Sequence, residues 1–201
     1  DRICVPSNWE MFGYDKACYS CFRYPFAVDM PYVPDDNPAG IYATDFVLNK
    51  EEASSDLYII FEGVASCFTL YVNGEKIGYS QGSHMPSEFC LKPYVKPGSN
   101  RITVKVLKWC DGSYLEDQDF FRLSGIFRDV YLLSRPENHI KDVFVKTFFT
   151  DKDYSKAQVS AEIAVKGKTN IRCFLYSPDN VLLKEADVAD SKVLFNIHNT
   201  K

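Results

Sequence analysis

The sequence predicts an all-β protein built from antiparallel β-sandwiches. Short segments in which apolar and polar residues alternate dominate the chain, and patterns with a helical period are scarce. The Asn73-Gly74 dipeptide between two such segments is the strongest short-range signal for a β-hairpin. Because turn signals separate the segments without helical stretches between them, we expect antiparallel pairing rather than a βαβ arrangement.

The elements of the first part of the chain follow in order. The first forty residues contain five prolines with aromatic residues between them, which predicts an extended segment packed on a sheet. The turn at Asn73-Gly74 joins two strands into a hairpin, because Asn and Gly tolerate the positive φ that both turn positions require. Strands are predicted at residues 41–48, 57–64, 67–72, 75–79, 101–109 and 126–133, with a polar loop at 80–87.

A domain boundary is predicted where Arg135-Pro136-Glu137 interrupts the strand pattern, which gives domains at residues 1–135 and 136–201. An immunoglobulin-like sandwich needs about seven strands, and the second domain offers five. We therefore expect this domain to be incomplete and the chain to be a fragment. The five strands are predicted at residues 143–150, 158–165, 171–176, 181–186 and 193–197.

Composition and charge argue against several classes of function. The 201 residues carry a net charge of −4 and no run of five basic residues, which disfavours nucleic-acid binding. No apolar run approaches the roughly 20 residues of a membrane span, and the N-terminus lacks the layout of a signal peptide. We expect a cytoplasmic protein, with the periplasm as the alternative.

The seven cysteines fit a reducing compartment, because an odd number cannot all pair and most lie in apolar segments. Cys18 and Cys21 have the spacing of a redox or zinc motif. However, no second CxxC and no nearby pair of histidines completes a site. The cysteines are Cys4, Cys18, Cys21, Cys67, Cys90, Cys110 and Cys173.

The stretch at residues 111–129, here called the acidic–aromatic loop, is the candidate functional segment. A surface loop has no need of four aromatic rings, and a core strand cannot bury three carboxylates. We expect an ordered loop with its rings facing inward and its acids facing a ligand, a cation or arginines. The acids are Glu116, Asp117 and Asp119, and the rings are Tyr114, Phe120, Phe121 and Phe127.

The alternative to ligand binding is pairing of the acids with Arg122 or Arg128, which is the expected role of Glu116 and Asp117. Trp9 and Trp109 are expected to be buried rather than stacked on a sugar. The three histidines are isolated in the sequence and have no spacing typical of a triad or a metal site.

Several segments resemble the large bacterial β-galactosidases of glycoside hydrolase family 2. They read VPSNWEMFGYDKACY, YP at Tyr24-Pro25, NPAGIY, GYSQGSHMPSEF and DGSYLEDQDFFRLSGIFRDV, and they span most of residues 5–133 in order. From about residue 142 the chain resembles, more loosely, the family's first immunoglobulin-like domain. The resemblance implies a jelly-roll sugar-binding domain followed by that immunoglobulin-like domain. It also implies a retaining mechanism run by two glutamates of a TIM barrel beyond Lys201, so that this chain alone is inactive.

The resemblance also implies roles for two residues. Asp119 matches an aspartate that contacts the galactosyl group and helps to hold a sodium ion. Cys21 stands where the family has an asparagine that reaches the sugar, and a thiol is a poor substitute as a hydrogen-bond partner. Magnesium is expected of the full enzyme, with its ligands on the barrel.

The partners implied by the resemblance are a β-galactoside such as lactose, the enzyme's own TIM barrel and further subunits of a homotetramer. Two alternatives remain open at this point. One is a stand-alone carbohydrate-binding jelly-roll module, and the other is a sandwich pair that serves only domain or subunit packing.

Overall fold

The computed structural model describes residues 1–20, 23–116 and 119–198. Over these residues the protein is almost entirely β, as predicted, and it divides into two compact units, Asp1–Ser134 and Arg135–Lys201. The strands are β1 Cys18–Ser20, β2 Ala39–Leu48, β3 Asp56–Phe61, β4 Val64–Ala65, β5 Cys67–Val72, β6 Glu75–Gln81, β7 Ser87–Cys90, β8 Gly98–Leu107, β9 Phe120–Arg122, β10 Gly125–Ile126, β11 Val130–Arg135, β12 His139–Phe149, β13 Lys156–Lys166, β14 Arg172–Tyr176, β15 Leu182–Asp187 and β16 Lys192–His198.

In the ranges that the structure describes, three short helices accompany the strands. The α-helix α1 spans Lys50–Ser54, and 3-10 helices span Trp9–Phe12 and Asp111–Tyr114. The sequence prediction did not include α1. Its local signal is Asn49, whose side chain accepts a hydrogen bond from the Glu52 amide at 2.8 Å while the Glu52 carboxylate accepts one from the Asn49 amide at 2.7 Å.

The core of the first unit contains residues from two antiparallel sheets. One sheet has the strand order β2-β8-β5-β6, and the other has the order β11-β3-β7. Alternate residues of β8 are buried, as the sequence pattern predicts, and β3 and β5 supply most of the remaining apolar side chains. The two sheets meet at Phe61 and Phe68, whose ring centroids lie 4.6 Å apart.

The predicted hairpin is confirmed. Strands β5 and β6 pair antiparallel with Val72 opposite Glu75, and the turn residues Asn73 and Gly74 have φ angles of 52° and 88°. The Asn73 side chain also accepts a hydrogen bond from the Arg101 amide at 3.0 Å, which ties the turn to β8. The flanking polar loop is shorter than predicted, because β6 continues to Gln81 and β7 begins at Ser87.

The proline-rich N-terminal segment packs on the rest of the first unit, as predicted. Trp9 is 5% exposed, which confirms the expectation of a buried ring. Trp109 is half-buried against Phe26, with ring centroids 5.0 Å apart. The Tyr24 hydroxyl donates to the Tyr114 carbonyl at 2.7 Å, so this segment also supports the start of the acidic–aromatic loop.

The second unit contains the five predicted strands, β12 to β16. Strands β12, β13 and β16 form one sheet in that order, and β14 pairs with β15. Many of its large apolar side chains are exposed, among them Phe144, Phe148 and Phe174. Among the described residues of the whole chain, no helix is long and apolar enough to cross a membrane.

Candidate functional site

Asp119 is exposed and lies at the edge of a short antiparallel pair. Strand β1 pairs with β9 so that Tyr19 lies opposite Phe121 and Ser20 lies opposite Phe120. Asp119 directly precedes β9, and its Oδ1 accepts a hydrogen bond from the Tyr19 hydroxyl across the pair. This contact could not be predicted from the sequence, because the two residues are a hundred positions apart and each strand has only three residues.

Two exposed aromatic rings pack together on this pair of strands. Tyr19 and Phe121 are 55% and 57% exposed, and their rings meet edge to face with centroids 5.4 Å apart. The expectation that all rings of the acidic–aromatic loop face inward is therefore wrong for Phe121. The reason is the strand geometry: neighbouring residues of β9 point to opposite sides, so burying Arg122 exposes Phe121.

The buried Arg122 side chain holds the acidic–aromatic loop to neighbouring segments. Its side chain is only 6% exposed, and its Nε donates to the Ser20 hydroxyl at 3.0 Å. A second guanidinium nitrogen donates to the Glu116 carbonyl oxygen, and the guanidinium carbon lies 4.7 Å from the centroid of the Phe120 ring. Arg122 thus joins β1, β9 and Glu116, and so holds the Glu116 carbonyl to the β1–β9 pair.

Glu116 holds the loop to the segment between β6 and β7. Its two carboxylate oxygens accept hydrogen bonds from the Ser83 amide and the Ser83 hydroxyl, both at 2.6 Å. The prediction that Glu116 shapes the loop is confirmed, but its carboxylate is held by a serine rather than through the expected arginine contact. Arg122 contacts the backbone of Glu116 instead. Asp117 lies outside the described residues.

The segment between β6 and β7 also contacts the last residues of the acidic–aromatic loop. The Arg128 guanidinium donates to the His84 carbonyl at 3.0 Å, and the His84 ring packs on Phe127 with centroids 5.3 Å apart. A cleft of about 160 Å³ lies here, lined by Ser83, His84, Glu116, Phe120 and Arg122 among others. His84 therefore has a packing role that its isolated position in the sequence could not indicate.

The N-terminal segment contacts the acidic–aromatic loop at Ser124. The Ser124 amide donates to the buried Glu10 carboxylate at 3.0 Å, and the Trp9 amide donates to the Ser124 carbonyl at 3.1 Å. Nearby, the Asp15 carboxylate accepts a hydrogen bond from the Lys108 ammonium at 2.5 Å. Burial raises the pKa of Asp15, but the hydrogen bond and charge of Lys108 outweigh it and hold the pKa below its ordinary value.

The groups at this surface are of kinds that can contact a sugar. A carboxylate accepts hydrogen bonds from sugar hydroxyls, and exposed rings stack on sugar faces. At the β1–β9 pair, Asp119 and the exposed rings of Tyr19 and Phe121 supply groups of both kinds. Cys21, the second predicted site residue, lies outside the described residues. Within the ranges the structure covers, no group of three or more His, Cys, Asp or Glu side chains could hold a metal ion.

An antiparallel β-sandwich with an exposed carboxylate hydrogen-bonded to an exposed tyrosine carries groups to which a sugar could bind. The comparison with family models agrees: residues 1–136 match the model described as glycosyl hydrolases family 2, sugar binding domain. The chain therefore belongs to glycoside hydrolase family 2. The match covers the whole first unit.

Curated relatives give the same family. A β-galactosidase of Pseudoalteromonas haloplanktis is 50% identical over 168 residues, which is 84% of this chain and 16% of that protein. A β-galactosidase of Alteromonas mediterranea is 48% identical over 171 residues, 85% of this chain and again 16% of that protein. The chain thus spans about one sixth of the length of the curated relatives it matches.

Solved structures show that the fold is shared more widely. A β-glucuronidase from Ruminococcus gnavus superposes with a TM-score of 0.64 at 22% identity, over 81% of this chain and 30% of that one. A β-glucuronidase from an uncultured Clostridium species gives a TM-score of 0.65 at 25% identity, over 80% of this chain and 30% of that one. These similarities establish the architecture.

Proposed function

We propose that this chain is the sugar-binding segment of a larger β-galactosidase, an enzyme that hydrolyses terminal non-reducing β-D-galactose residues in β-galactosides such as lactose. The observation that carries the proposal is the identity of about half of the aligned residues to relatives named β-galactosidase. In this proposal the two catalytic glutamates of a retaining mechanism lie on a TIM barrel outside these 201 residues. The segment takes part in hydrolysis only together with that barrel.

The proposed contribution of this segment to catalysis is one carboxylate of the galactose subsite. Asp119 is exposed, and the Tyr19 hydroxyl orients one of its oxygens. A carboxylate so held can accept hydrogen bonds from two sugar hydroxyls, or from one hydroxyl while it binds a cation. Cys21 replaces the asparagine expected from the family resemblance, so we infer that the sugar contact there is weakened.

A sodium ion fits the chemistry of Asp119, because a carboxylate oxygen is a hard ligand of the kind that alkali cations accept. The described residues supply one such carboxylate at this surface, so the remaining oxygen ligands would come from the barrel or from the substrate. Magnesium is proposed for the complete enzyme with its ligands on the barrel. A homotetramer in the cytoplasm, or in the periplasm, completes the proposal.

The test is to replace Asp119 in the full-length enzyme and to measure galactoside hydrolysis with and without sodium. A hydrogen bond to a charged group contributes about 1.5–3 kcal/mol, so Asp119→Ala should lower kcat/KM by about 10- to 150-fold. The response to sodium should fall at the same time. The matched control is Asp45→Asn, an exposed acid of the same unit that pairs with Arg101, and it should leave kcat/KM unchanged. Unchanged kcat/KM and sodium response in Asp119→Ala would contradict the assignment.

The exposed rings of Tyr19 and Phe121 favour one alternative, a carbohydrate-binding module that needs no barrel. Calorimetric titration of the 201-residue chain with galactose separates the two. The enzyme-segment proposal expects negligible heat up to millimolar sugar, because a partial site leaves the sugar mostly solvated. Saturable binding that is lost in Phe121→Ala would favour the stand-alone module.

A further inference from the structure

Strand β2, Ala39–Leu48, lies at an edge of its sheet and has a partner on one side only. It pairs with β8 over all ten residues without a bulge. The Lys108 amide donates to the Pro38 carbonyl at 2.9 Å, so the even-numbered residues of β2 bond to β8 and the odd-numbered ones direct their backbone N–H and C=O groups outward. Within the described ranges, no backbone group of another segment bonds to this outer edge.

The sequence of β2 lacks the features that keep an edge strand from pairing. Edge strands are commonly protected by proline, by lysine or by a bulge. Strand β2 contains no proline and no basic residue, and its one charged residue, Asp45, pairs with Arg101 of β8 at 3.2 Å. On its outer face, Ile41 and Val47 are 71% and 76% exposed. The edge is therefore long, regular and apolar, which suits the addition of another strand.

The inner face of β2 borders an apolar groove of about 1210 Å³, which residues 130–132 of β11 line as well. Tyr42 and Phe46 pack against the core from this face, but Thr44 between them is exposed. Because protein interiors are close-packed, a groove of this size shows that the sandwich is open between β2 and β11. A strand added to β2 would place alternate side chains over the groove.

We propose that two copies of this chain dock through β2, paired antiparallel about a two-fold axis at Thr44. The free backbone groups belong to odd-numbered residues, so the two copies pair when odd-numbered residues face each other. With the axis at Thr44, Ile41 lies opposite the partner's Val47, and Tyr42 lies opposite the partner's Phe46. Each exposed apolar side chain of the outer face then contacts one from the other copy.

Charge favours this register over its neighbours. With the axis at Thr44, Asp45 faces the partner's Ala43 and keeps Arg101 of its own copy beside it, so like charges do not meet. With the axis at Asp45, the two Asp45 carboxylates would face each other. With the axis at Ala43, Asp45 would face the partner's Ile41, and the apolar pairs would be lost. A second copy of β2 thus complements this edge best about Thr44.

The same pairing covers the groove of each copy. The partner's Tyr42 and the partner's Phe46 would extend over it from the added strand. The groove exceeds the roughly 300–1,000 Å³ of most small-molecule sites and is lined mainly by apolar side chains, which suits the side chains of a strand. The interface does not involve Asp119, so it can fail while the proposed galactose subsite stands, and the reverse also holds.

The first experiment is sedimentation velocity of the 201-residue chain over a concentration series from about 1 to 200 µM. The expected result is a reversible monomer–dimer equilibrium with a Kd of about 1–100 µM, as for a small interface. Val47→Lys places a charge on the edge without touching the inner face, and it should raise the Kd about tenfold or more. The matched control is Val28→Lys, which changes a valine that is 60% exposed outside β2 and should leave the Kd unchanged.

The second experiment tests the register by disulfide cross-linking in a Cys4→Ser background, since Cys4 also lines the groove. In the proposed register, Thr44 faces itself in a non-hydrogen-bonded pair, where Cα atoms lie about 4.5 Å apart and a disulfide can form. Thr44→Cys should therefore give a disulfide-linked dimer on mild oxidation, with the link at position 44 identified by mass spectrometry. Val47→Cys should not link to itself, because the partner's Ile41 lies opposite position 47.

The proposal is overturned if the unmodified chain stays monomeric up to about 200 µM, a result that needs no variant and so holds even where a substitution prevents folding. It is also overturned if Val47→Lys leaves the Kd unchanged, or if Val47→Cys links to itself as fast as Thr44→Cys does. A segment of the longer enzyme is the competing occupant of this edge. If the thiol of Thr44→Cys in the full-length enzyme forms no cross-link and resists alkylation, that segment covers β2 and the proposal fails.

Discussion

The two hydrogen bonds between Glu116 and Ser83 should account for much of the stability that the acidic–aromatic loop gives to the first unit. Ser83 is 3% exposed, and its amide and hydroxyl each lie 2.6 Å from a carboxylate oxygen. Hydrogen bonds to a charged group contribute about 1.5–3 kcal/mol, and a buried donor left without an acceptor costs about 1–3 kcal/mol. Ser83→Ala removes one bond and should cost about 2 kcal/mol. Glu116→Ala removes both and should cost about 3 kcal/mol.

The double variant distinguishes a direct interaction from two independent defects. If the pair interacts as described, the double variant should be about 2 kcal/mol more stable than the sum of the single costs implies. Glu116→Gln keeps the shape and one acceptor oxygen but loses the charge, so its cost should be intermediate. Asp45→Asn is the control, because the Asp45–Arg101 pair is 59% exposed on both sides and should contribute less than about 1 kcal/mol.

Urea unfolding followed by tryptophan fluorescence measures these costs in the first unit alone, since both tryptophans of the sequence, Trp9 and Trp109, belong to it. With a slope of about 2 kcal/mol per molar urea, a loss of 2 kcal/mol lowers the midpoint by about 1 M. A coupling free energy below about 0.5 kcal/mol would refute the reasoning. In that case other contacts, such as those of Arg122, would hold the loop.

Two further predictions use the same measurement. Because the pKa of Asp15 is lowered in the folded state, the Asp15–Lys108 pair stabilises the protein above the ordinary pKa of 3.8, and this contribution disappears as the pH falls through the lowered value. Asp15→Asn should therefore make the urea midpoint depend less on pH over that acidic range, and an unchanged dependence of the midpoint on pH would contradict the prediction. Gly78→Ala places a Cβ atom 2.4 Å from the Phe89 ring and should lower the free energy of unfolding by about 1–3 kcal/mol, a loss that Phe89→Leu should partly relieve. An equal loss with Phe89 and with Leu at position 89 would show that the ring is not the cause.

The strands could be predicted from the sequence wherever alternation continued over five residues or more. Strand β8 shows this, because alternate residues are buried along it. The hairpin turn was predictable because Asn73 and Gly74 are among the few residues that accept its φ angles. Strands β1 and β9 were missed, because three residues carry too little pattern and their pairing joins segments a hundred positions apart.

The site could be predicted only in part, for a related reason. The cluster of acids marks the loop, and the family resemblance singles out Asp119, but no local rule pairs Glu116 with a serine 33 positions earlier. The exposure of Phe121 was missed because a count of aromatic residues says nothing about which side of a strand each one occupies. Tyr19 could have been suspected, since the segment that contains it is one of those that resemble the family.

The described contacts explain how an exposed carboxylate can be held in place without being buried. The Glu116 carboxylate binds Ser83, and the Arg122 guanidinium binds the Glu116 carbonyl and the Ser20 hydroxyl. These bonds hold Glu116 and Arg122, which precede and follow Asp119 in the chain, while the Asp119 side chain itself remains exposed and avoids the cost of desolvating a charge. In the proposed galactose subsite, a group positioned in this way by its neighbours would lose little conformational entropy on binding a sugar. This arrangement suits the role we propose for the segment, which is to supply one oriented acceptor while groups elsewhere in the enzyme carry out the chemistry.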